Sequence, residues 1–280
     1  MDIWNSYKHT VSDGTELMLR EARIEDAKAD IFFCHGFKEY SGRYHAEAEF
    51  FNKAGYNFLC YDLRSHGESG GHPRSWINDF SDYTSDYLEL IEYFRLGHER
   101  PYYTFAHSMG GLVTINALLE KDSLPIKPKA VLLSAPLLAP NADMAPLLQK
   151  LSSFVSMILP RLKTIKLDIE EISRDPEERK KYAEDPLIDT SGVYARTAYS
   201  LLRQMKATHA RFKHFDYDFI VQHSRDDKLS EFGGSQKLYD NSSSQDKTLI
   251  ELKEFRHEIT REYGHEEIMQ RFLDWLEAHS

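Results

Sequence analysis

A single serine stands where an apolar run gives way to a helical pattern, in the stretch PYYTFAHSMGGLVTINALL. Ser108 lies at the centre of AHSMG, which is the G-x-S-x-G pattern with alanine in the first position. Between a strand and a helix, this pattern is typical of a nucleophile elbow, a strained turn that lifts the serine Oγ clear of the sheet. The alternative is a serine that only caps the helix. We predict that Ser108 is a nucleophile, with Gly110 and Gly111 letting the helix pass close to neighbouring strands.

A serine hydroxyl needs a base that takes its proton and a carboxylate that orients the base. After an elbow of this kind, the acid and then the histidine follow in chain order. The stretch DYDFIVQHSRDDKLS predicts a strand and then a loop that bears Asp226 and Asp227. The stretch KTLIELKEFRHEITRE predicts the last strand and then a loop that bears His257. His35 and His66 lie in glycine-containing loops, where we expect their rings to bond to the backbone.

The tetrahedral intermediate formed by a nucleophilic serine also needs two backbone N–H donors for its oxyanion. One is expected from Met109, directly after the serine. The other is expected from Phe37, which follows His-Gly in the loop after the first predicted parallel strand. The alternative for this His-Gly pair is a tight turn with no catalytic role.

The elements that must position these residues alternate along the chain. A hairpin is predicted around the Asp13-Gly14 turn. Six short apolar runs then alternate with helical patterns, which indicates a mostly parallel sheet covered by helices on both faces, an α/β fold. The predicted strands are Asp30–Cys34, Asn57–Tyr61, Tyr102–Ala106, Ala130–Leu133, Phe219–Gln222 and Thr248–Leu252.

The alternation stops between residues 139 and 214, where the chain reads as helices and loops. We predict a helical cap (lid) over residues 139–214, above a core formed by residues 1–138 and 215–280, because ligands of open α/β sheets bind at the carboxyl edge of the strands. An apolar face recurs at helical spacing in MAPLLQKLSSFVSMILP. The alternative for such a face is packing in the core. If the face lines a site instead, its members are predicted to bind an acyl chain: Leu147, Leu148, Leu151, Phe154, Val155, Ile158 and Leu159.

Composition excludes some classes of protein. The 280 residues carry a formal charge of −10, which argues against a nucleic-acid-binding surface. Cys34 and Cys60 lie inside apolar runs and are predicted to be buried thiols, which favours a reducing compartment. No secretion signal is visible at the start of the chain, and no run reaches the length of a membrane span. We therefore expect a cytoplasmic protein, and no residue pattern predicts a metal site.

With these residues in place, the chain resembles the monoglyceride lipases and lysophospholipases of the α/β-hydrolase superfamily. The resemblance runs nearly end to end and is carried by HGFKEYSGRY, YDLRSHGESGGHP, HSMGGL, LLSAPLL, EDPLI, SRDDKLS and SQDKTLIELKEFRHEI. It implies an α/β-hydrolase fold, an oxyanion hole from Phe37 and Met109, Asp226 as the acid and His257 as the base.

The resemblance also implies a binding site for the alcohol head group of the substrate at Glu39 and Arg43, in the E-x-S-G-R-Y segment. The alternative is that this pair stabilises its own loop. Thr260 stands where members of the family often have a second histidine, so head-group specificity stays open.

We therefore predict a serine esterase that cleaves monoacyl lipid esters, foremost monoacylglycerol, through an acyl-enzyme. The chemistry requires no metal or organic cofactor. A lysophospholipase or general carboxylesterase with the same machinery is the near alternative, and a catalytically silent binding protein of the same fold is the distant one. Transient contact with a membrane through the cap is a further prediction.

Overall fold

One central sheet organises the protein. The structure, a computed structural model, describes residues 3–94, 100–140 and 153–279. The sheet has eight strands within those ranges, in the spatial order β1-β2-β4-β3-β5-β6-β7-β8. The strands are β1 (Asn5–Thr10), β2 (Glu16–Ala22), β3 (Ala29–Cys34), β4 (Tyr56–Tyr61), β5 (Tyr102–His107), β6 (Val131–Ser134), β7 (Phe219–Ser224) and β8 (Lys247–Leu252).

The predicted hairpin and the six predicted strands are confirmed within one or two residues at each end. β1 and β2 pair antiparallel, and Gly14 has a φ of 87° in the turn between them. β2 pairs antiparallel with β4, and the remaining neighbours pair parallel. Because these strands are covered by helices on both faces, every residue of β3, β4 and β5 is buried.

Helices cover both faces of the sheet within the described ranges. One apolar core contains side chains of α2 and α3, and the other contains side chains of α1 and α7. The helices are α1 (His45–Lys53), α2 (Ser81–Phe94), α3 (Met109–Leu119), α4 (Pro176–Glu184), α5 (Ala195–His209), α6 (Phe232–Asn241) and α7 (His265–Ala278).

The two cysteines lie on neighbouring strands but in different cores. Cys34 pairs in register with Tyr61, and Cys60 with Phe33. Both thiols are free and buried, as predicted, and burial raises the pKa of Cys34 to about 12.

The segment between β6 and β7 contains α4, α5, short 3₁₀ turns and an isolated bridge between Lys163 and Tyr194. Leu148 and Leu151 lie outside the described residues. Residues 153–158 are helical, but the expected inward apolar face is not seen there. Phe154, Ile158 and Leu159 are more than half exposed, and neither they nor Val155 line the cavity at Ser108 or the apolar pocket beside it.

Candidate active site

The turn between β5 and α3 holds Ser108 in an unusual backbone conformation, with φ 51° and ψ −121°. The turn depends on close contacts that only glycine allows: a Cβ on Gly110 would lie 2.1 Å from the carbonyl oxygen of Cys34. A Cβ on Gly111 would lie 2.6 Å from Pro136. These contacts confirm the predicted close passage of α3 and the elbow that presents the Ser108 side chain at the carboxyl edge of the sheet.

Three side chains from separate loops form a hydrogen-bonded chain. Ser108 Oγ lies 2.8 Å from His257 Nε2, and His257 Nδ1 lies 2.7 Å from Oδ2 of Asp227. His257 comes from the loop after β8 and Asp227 from the loop after β7, so both reach the edge where the elbow lies. All three residues are buried. A serine activated by an imidazole, with a carboxylate behind it, is the arrangement for nucleophilic attack on a carbonyl carbon.

The acid that contacts His257 is Asp227, so the expectation of Asp226 is corrected. The Asp226 side chain is exposed and its Oδ2 accepts a hydrogen bond from the backbone N–H of Glu254 at 2.7 Å. Two successive loop residues point in different directions, and here the second one points inward. Asp227 also closes its own turn, because Oδ1 accepts from the N–H groups of Leu229 and Ser230 at 2.8 and 3.0 Å.

Burial and charge shift the pKa values of His257 and Asp227 in opposite directions. Burial lowers the pKa of His257, but the negative charge of Asp227 and the hydrogen bond to it outweigh burial, so this pKa lies above its ordinary value. Burial raises the pKa of Asp227, but the two imidazoles that face it hold this pKa well below its ordinary range. Asp227 is therefore ionised at neutral pH and favours the tautomer of His257 with the proton on Nδ1.

The loop after β3 approaches the serine from the other side. A Cβ on Gly36 would lie 3.0 Å from Cβ of Ser108, so Phe37, the next residue, is close to the nucleophile. His35 holds this loop: its Nδ1 donates to the carbonyl oxygen of Gly36 and its Nε2 accepts from the N–H of Leu63. The expected backbone role of His35 is confirmed. Met109 is the first residue of α3, and helix geometry leaves the N–H of such a residue without an intrahelical partner.

Glu39 and Arg43 contact each other but face different spaces. Glu39 lines the same cavity as Ser108, whereas Arg43 lies behind it and contributes to a different cleft. The Arg43 guanidinium forms two hydrogen bonds with Glu258, at 2.6 and 2.9 Å, and one with Glu39 at 2.9 Å. It also lies over the ring of Tyr182. The alternative weighed from the sequence, internal stabilisation, therefore describes Arg43 better than contact with a substrate.

Two neighbouring spaces lie at this edge of the sheet, and Ser108 lines the smaller one. A cavity of about 60 Å³ lies against Ser108 and His257, with Glu39 and Glu258 in its wall. An apolar pocket of about 520 Å³ lies beyond it, lined by α5 and residues 164–168. Both are lined by the same four apolar side chains, Phe37, Leu137, Leu167 and Leu229.

Several residues near the serine were not predicted from the sequence. Glu258 follows the histidine directly and lines the cavity. The ring of His107 lies 4.8 Å from that of His257. His223 lies behind Asp227. Leu201 and Leu202 of α5 line the apolar pocket, in place of the face around Phe154. The periodicity of α5 could have indicated its apolar face, but not that this face lines a pocket.

The fold and this arrangement of side chains define a serine hydrolase of the α/β-hydrolase superfamily. Residues 25–264 match the family described as serine aminopeptidase, S33, and the chain belongs to that family.

Similar proteins and a similar solved structure agree with the assignment to this superfamily. The chain is 27% identical over 255 residues to a monoacylglycerol lipase of Mycolicibacterium smegmatis, covering 91% of this chain and 90% of that one. It is 29% identical over 237 residues to the monoglyceride lipase of Rattus norvegicus, covering 84% and 77%. The crystal structure of Paleococcus ferrophilus monoacylglycerol lipase superposes with a TM-score of 0.81 at 26% identity, covering 94% of this chain and 99% of that one.

Proposed function

We propose that this protein is a carboxylic ester hydrolase that cleaves monoacylglycerol into glycerol and a fatty acid. The observation that carries the proposal is the Ser108–His257–Asp227 chain, placed where a small cavity with two carboxylates in its wall adjoins an apolar pocket. The relatives named monoacylglycerol lipase act as independent support, since they cover most of the chain.

The reaction follows from the geometry of the three side chains. Ser108 Oγ attacks the ester carbonyl while His257 Nε2 takes its proton, and the imidazolium then donates that proton to the leaving alcohol. Water attacks the acyl-enzyme by the same route, with His257 again as the base. Asp227 keeps the imidazole oriented and stabilises the imidazolium. The N–H groups of Phe37 and Met109 are the proposed donors to the oxyanion of each tetrahedral intermediate.

The apolar pocket is the proposed site for one acyl chain. Its side chains come from α5, including Leu201, Leu202 and Met205, and from the segment that contains Leu167. Burial of each methylene of an acyl chain contributes about 0.8 kcal/mol, of which part is lost in ordering the chain. Long-chain esters are therefore preferred, and a triacylglycerol does not fit with its carbonyl at Ser108.

The leaving alcohol faces the polar end of the site. Glu39 and Glu258 are both buried and both line the cavity beside Ser108. Carboxylate oxygens accept hydrogen bonds from hydroxyl groups and repel a phosphodiester anion. This favours glycerol over the head group of a lysophospholipid, the alternative substrate class. Arg43 pairs with both carboxylates and offsets part of their charge.

A patch of exposed apolar side chains on the cap is the proposed point of contact with a lipid surface. Met157 is 73% exposed, and three cationic residues lie nearby in the chain: Arg161, Lys163 and Lys166. Apolar and cationic side chains together bind membrane interfaces. No helix in the described ranges is long and apolar enough to cross a membrane. Met157→Asp should weaken co-sedimentation with anionic vesicles, whereas Tyr263→Asp, at an exposed aromatic residue outside the cap, should not.

The central test is a hydrolysis panel with matched serine variants. Monoacylglycerols from butyryl to oleoyl, oleoyl lysophosphatidylcholine, triolein, an aryl ester and an aminoacyl arylamide are compared by kcat/KM. We expect monooleoylglycerol to be the best substrate. Ser108→Ala should fold normally, lose labelling by a fluorophosphonate and lose at least about 10³-fold in kcat. Labelling of another serine would contradict the assignment of the nucleophile, and absence of both labelling and hydrolysis in the unmodified protein would support a silent binding protein. Preference for the lysophospholipid or the arylamide would replace the proposed substrate.

A further inference from the structure

A second histidine contacts the acid of the triad. His223 belongs to β7 and is fully buried behind Asp227. Its Nε2 lies 3.2 Å from Asp227 Oδ2 and 3.0 Å from the carbonyl oxygen of Ser230, and its Nδ1 lies 2.7 Å from the hydroxyl of Ser235. His223 therefore extends the hydrogen-bonded chain beyond the carboxylate.

The partners of His223 determine its tautomer. Both groups near Nε2, the Asp227 carboxylate and the Ser230 carbonyl, only accept hydrogen bonds, so Nε2 carries a proton. The hydroxyl of Ser235 lies 2.7 Å from Nδ1 and can donate to it when that nitrogen carries no proton. Oδ2 of Asp227 thus receives the N–H of His257 and shares the single N–H of His223 with the carbonyl oxygen of Ser230.

We propose that His223 is a positioning residue that holds Asp227 Oδ2 toward His257 during catalysis. The inference rests on the proposed function, since it assigns Asp227 to the triad. Oδ1 is fixed by Leu229 and Ser230, and the N–H of His223 adds to that of His257 a second constraint on Oδ2. Without this donor, the carboxylate has one partner fewer at Oδ2 and the His257 ring is held less firmly in line with Ser108.

The test compares a variant that removes the donor with one that keeps it. His223→Leu is expected to lower kcat on an aryl ester and the rate of labelling by a fluorophosphonate by about tenfold to a hundredfold, with KM little changed. His223→Gln places an amide N–H near the same point and is expected to recover most of the loss. Gln222→Leu is the matched control, because Gln222 is the neighbouring buried residue of β7 and donates to the carbonyl of Ile268, away from the site. It should lower thermal stability without lowering either rate.

These measurements distinguish a positioning role of His223 from a role in the stability of the fold. They also do not depend on which substrate the enzyme hydrolyses. The rate of labelling by a fluorophosphonate reports the reactivity of Ser108 even if monoacylglycerol is not hydrolysed. An unchanged labelling rate in His223→Leu, or an equal loss in His223→Gln, overturns the proposal. If His223→Leu does not fold, Ser235→Ala decides, because it removes the hydroxyl opposite Nδ1 and leaves the ring in place. A labelling rate at least about threefold lower supports the proposal, and an unchanged one overturns it.

Discussion

At the scale of single residues, the two oxygens of Asp227 have separate partners. Oδ1 accepts two backbone N–H groups of its own loop, and Oδ2 faces the imidazoles of His257 and His223. The carboxylate is thereby fixed before substrate binds. Asp226, one residue earlier, is bound to the backbone of Glu254 at the surface and has no contact with the histidine.

Asp227→Asn is expected to lower kcat by about 10⁴-fold, because an amide permits the wrong tautomer of the imidazole. Asp226→Asn is the matched control and should change kcat by less than about threefold, since it alters a surface hydrogen bond. Steady-state kinetics on one aryl ester measure both. A large loss in Asp226→Asn with a small one in Asp227→Asn would return the acid to Asp226.

The pH dependence of kcat/KM provides a second test of the role of Asp227. The base must be neutral to take the proton of Ser108, so activity rises with pH through the pKa of His257, which lies above its ordinary value of 6.5. Burial lowers this pKa and the charge of Asp227 raises it. Asp227→Asn removes only the second effect, so the residual activity should rise at lower pH than in the unmodified protein. A midpoint that stays in place or moves to higher pH would contradict this account.

The choice between Asp226 and Asp227 shows what a residue pattern cannot determine. The motif places an acid in the loop after β7, and the fold places that loop beside His257. Which of two adjacent side chains points inward depends on the turn, here closed by Asp227 Oδ1. Ser108 and His257 had no such competitor next to them, and the structure brings them together as predicted.

At the scale of elements, the contact between α3 and β3 sets the position of the elbow. Gly110→Ala would bring a methyl group against backbone carbonyls of Cys34 and His35, neither of which can rotate away. We expect α3 to shift and the free energy of unfolding to fall by about 1–3 kcal/mol.

Gly233→Ala in α6 is the control for Gly110→Ala, because a methyl group there meets only ordinary contacts. It should leave stability unchanged or raise it by up to about 1 kcal/mol. Urea unfolding measures both. Equal stability of the two variants would show that the elbow tolerates a wider separation of α3 and β3.

The core elements were predictable and the lining of the pocket was not. Buried parallel strands and amphipathic helices have strong patterns, so β3 to β8 and the flanking helices follow from the sequence. An apolar helical face has the same pattern whether it lines a pocket, packs in a core or is exposed. The stretch around Phe154 and the helix α5 both carry such faces, and only α5 lines the pocket within the described residues.

The apolar pocket offers a test at this scale. Leu202→Trp is expected to fill part of the pocket and to displace at least two methylenes of a long acyl chain, which lowers kcat/KM for monooleoylglycerol by about tenfold. The value for a butyryl ester should change little, because its chain is too short to reach the indole. Arg203→Trp, at the exposed neighbouring position of α5, should leave the chain-length profile unchanged. An equal effect of Leu202→Trp on both esters would exclude this pocket as the acyl site.

At the scale of the whole molecule, a buried network of charges joins parts of the chain that are distant in sequence. Arg43, after β3, bonds to Glu258, after β8, and Arg261 bonds to Glu47 of α1. The backbone N–H of Glu258 also donates to the carbonyl of Ile172 in the cap at 2.8 Å. One buried cluster therefore ties the core, the histidine loop and the cap together beside the catalytic cavity.

This network predicts how stability depends on pH. Burial raises the pKa of Glu258, but Arg43 and Arg261 outweigh burial and lower it to about 2 in the folded protein, from an ordinary value of 4.5. The folded protein thus binds this proton less readily than the unfolded chain does. The stability that Glu258 contributes is complete above pH 4.5 and is lost as the pH falls toward 2.

Glu258→Gln should therefore lower the free energy of unfolding by about 2–4 kcal/mol at pH 7, since it leaves the buried Arg43 without its bidentate partner. The difference from the unmodified protein should shrink steadily between pH 4.5 and the lowest pH at which that protein still folds. Glu267→Gln, which breaks an exposed pair with Arg271 on α7, is the control and should cost less than about 0.5 kcal/mol at every pH. Urea unfolding at a series of pH values measures all three proteins. A difference for Glu258→Gln that stays constant with pH would mean that the loss comes from packing around residue 258, and that the ion pair with Arg43 does not hold the histidine loop to the core.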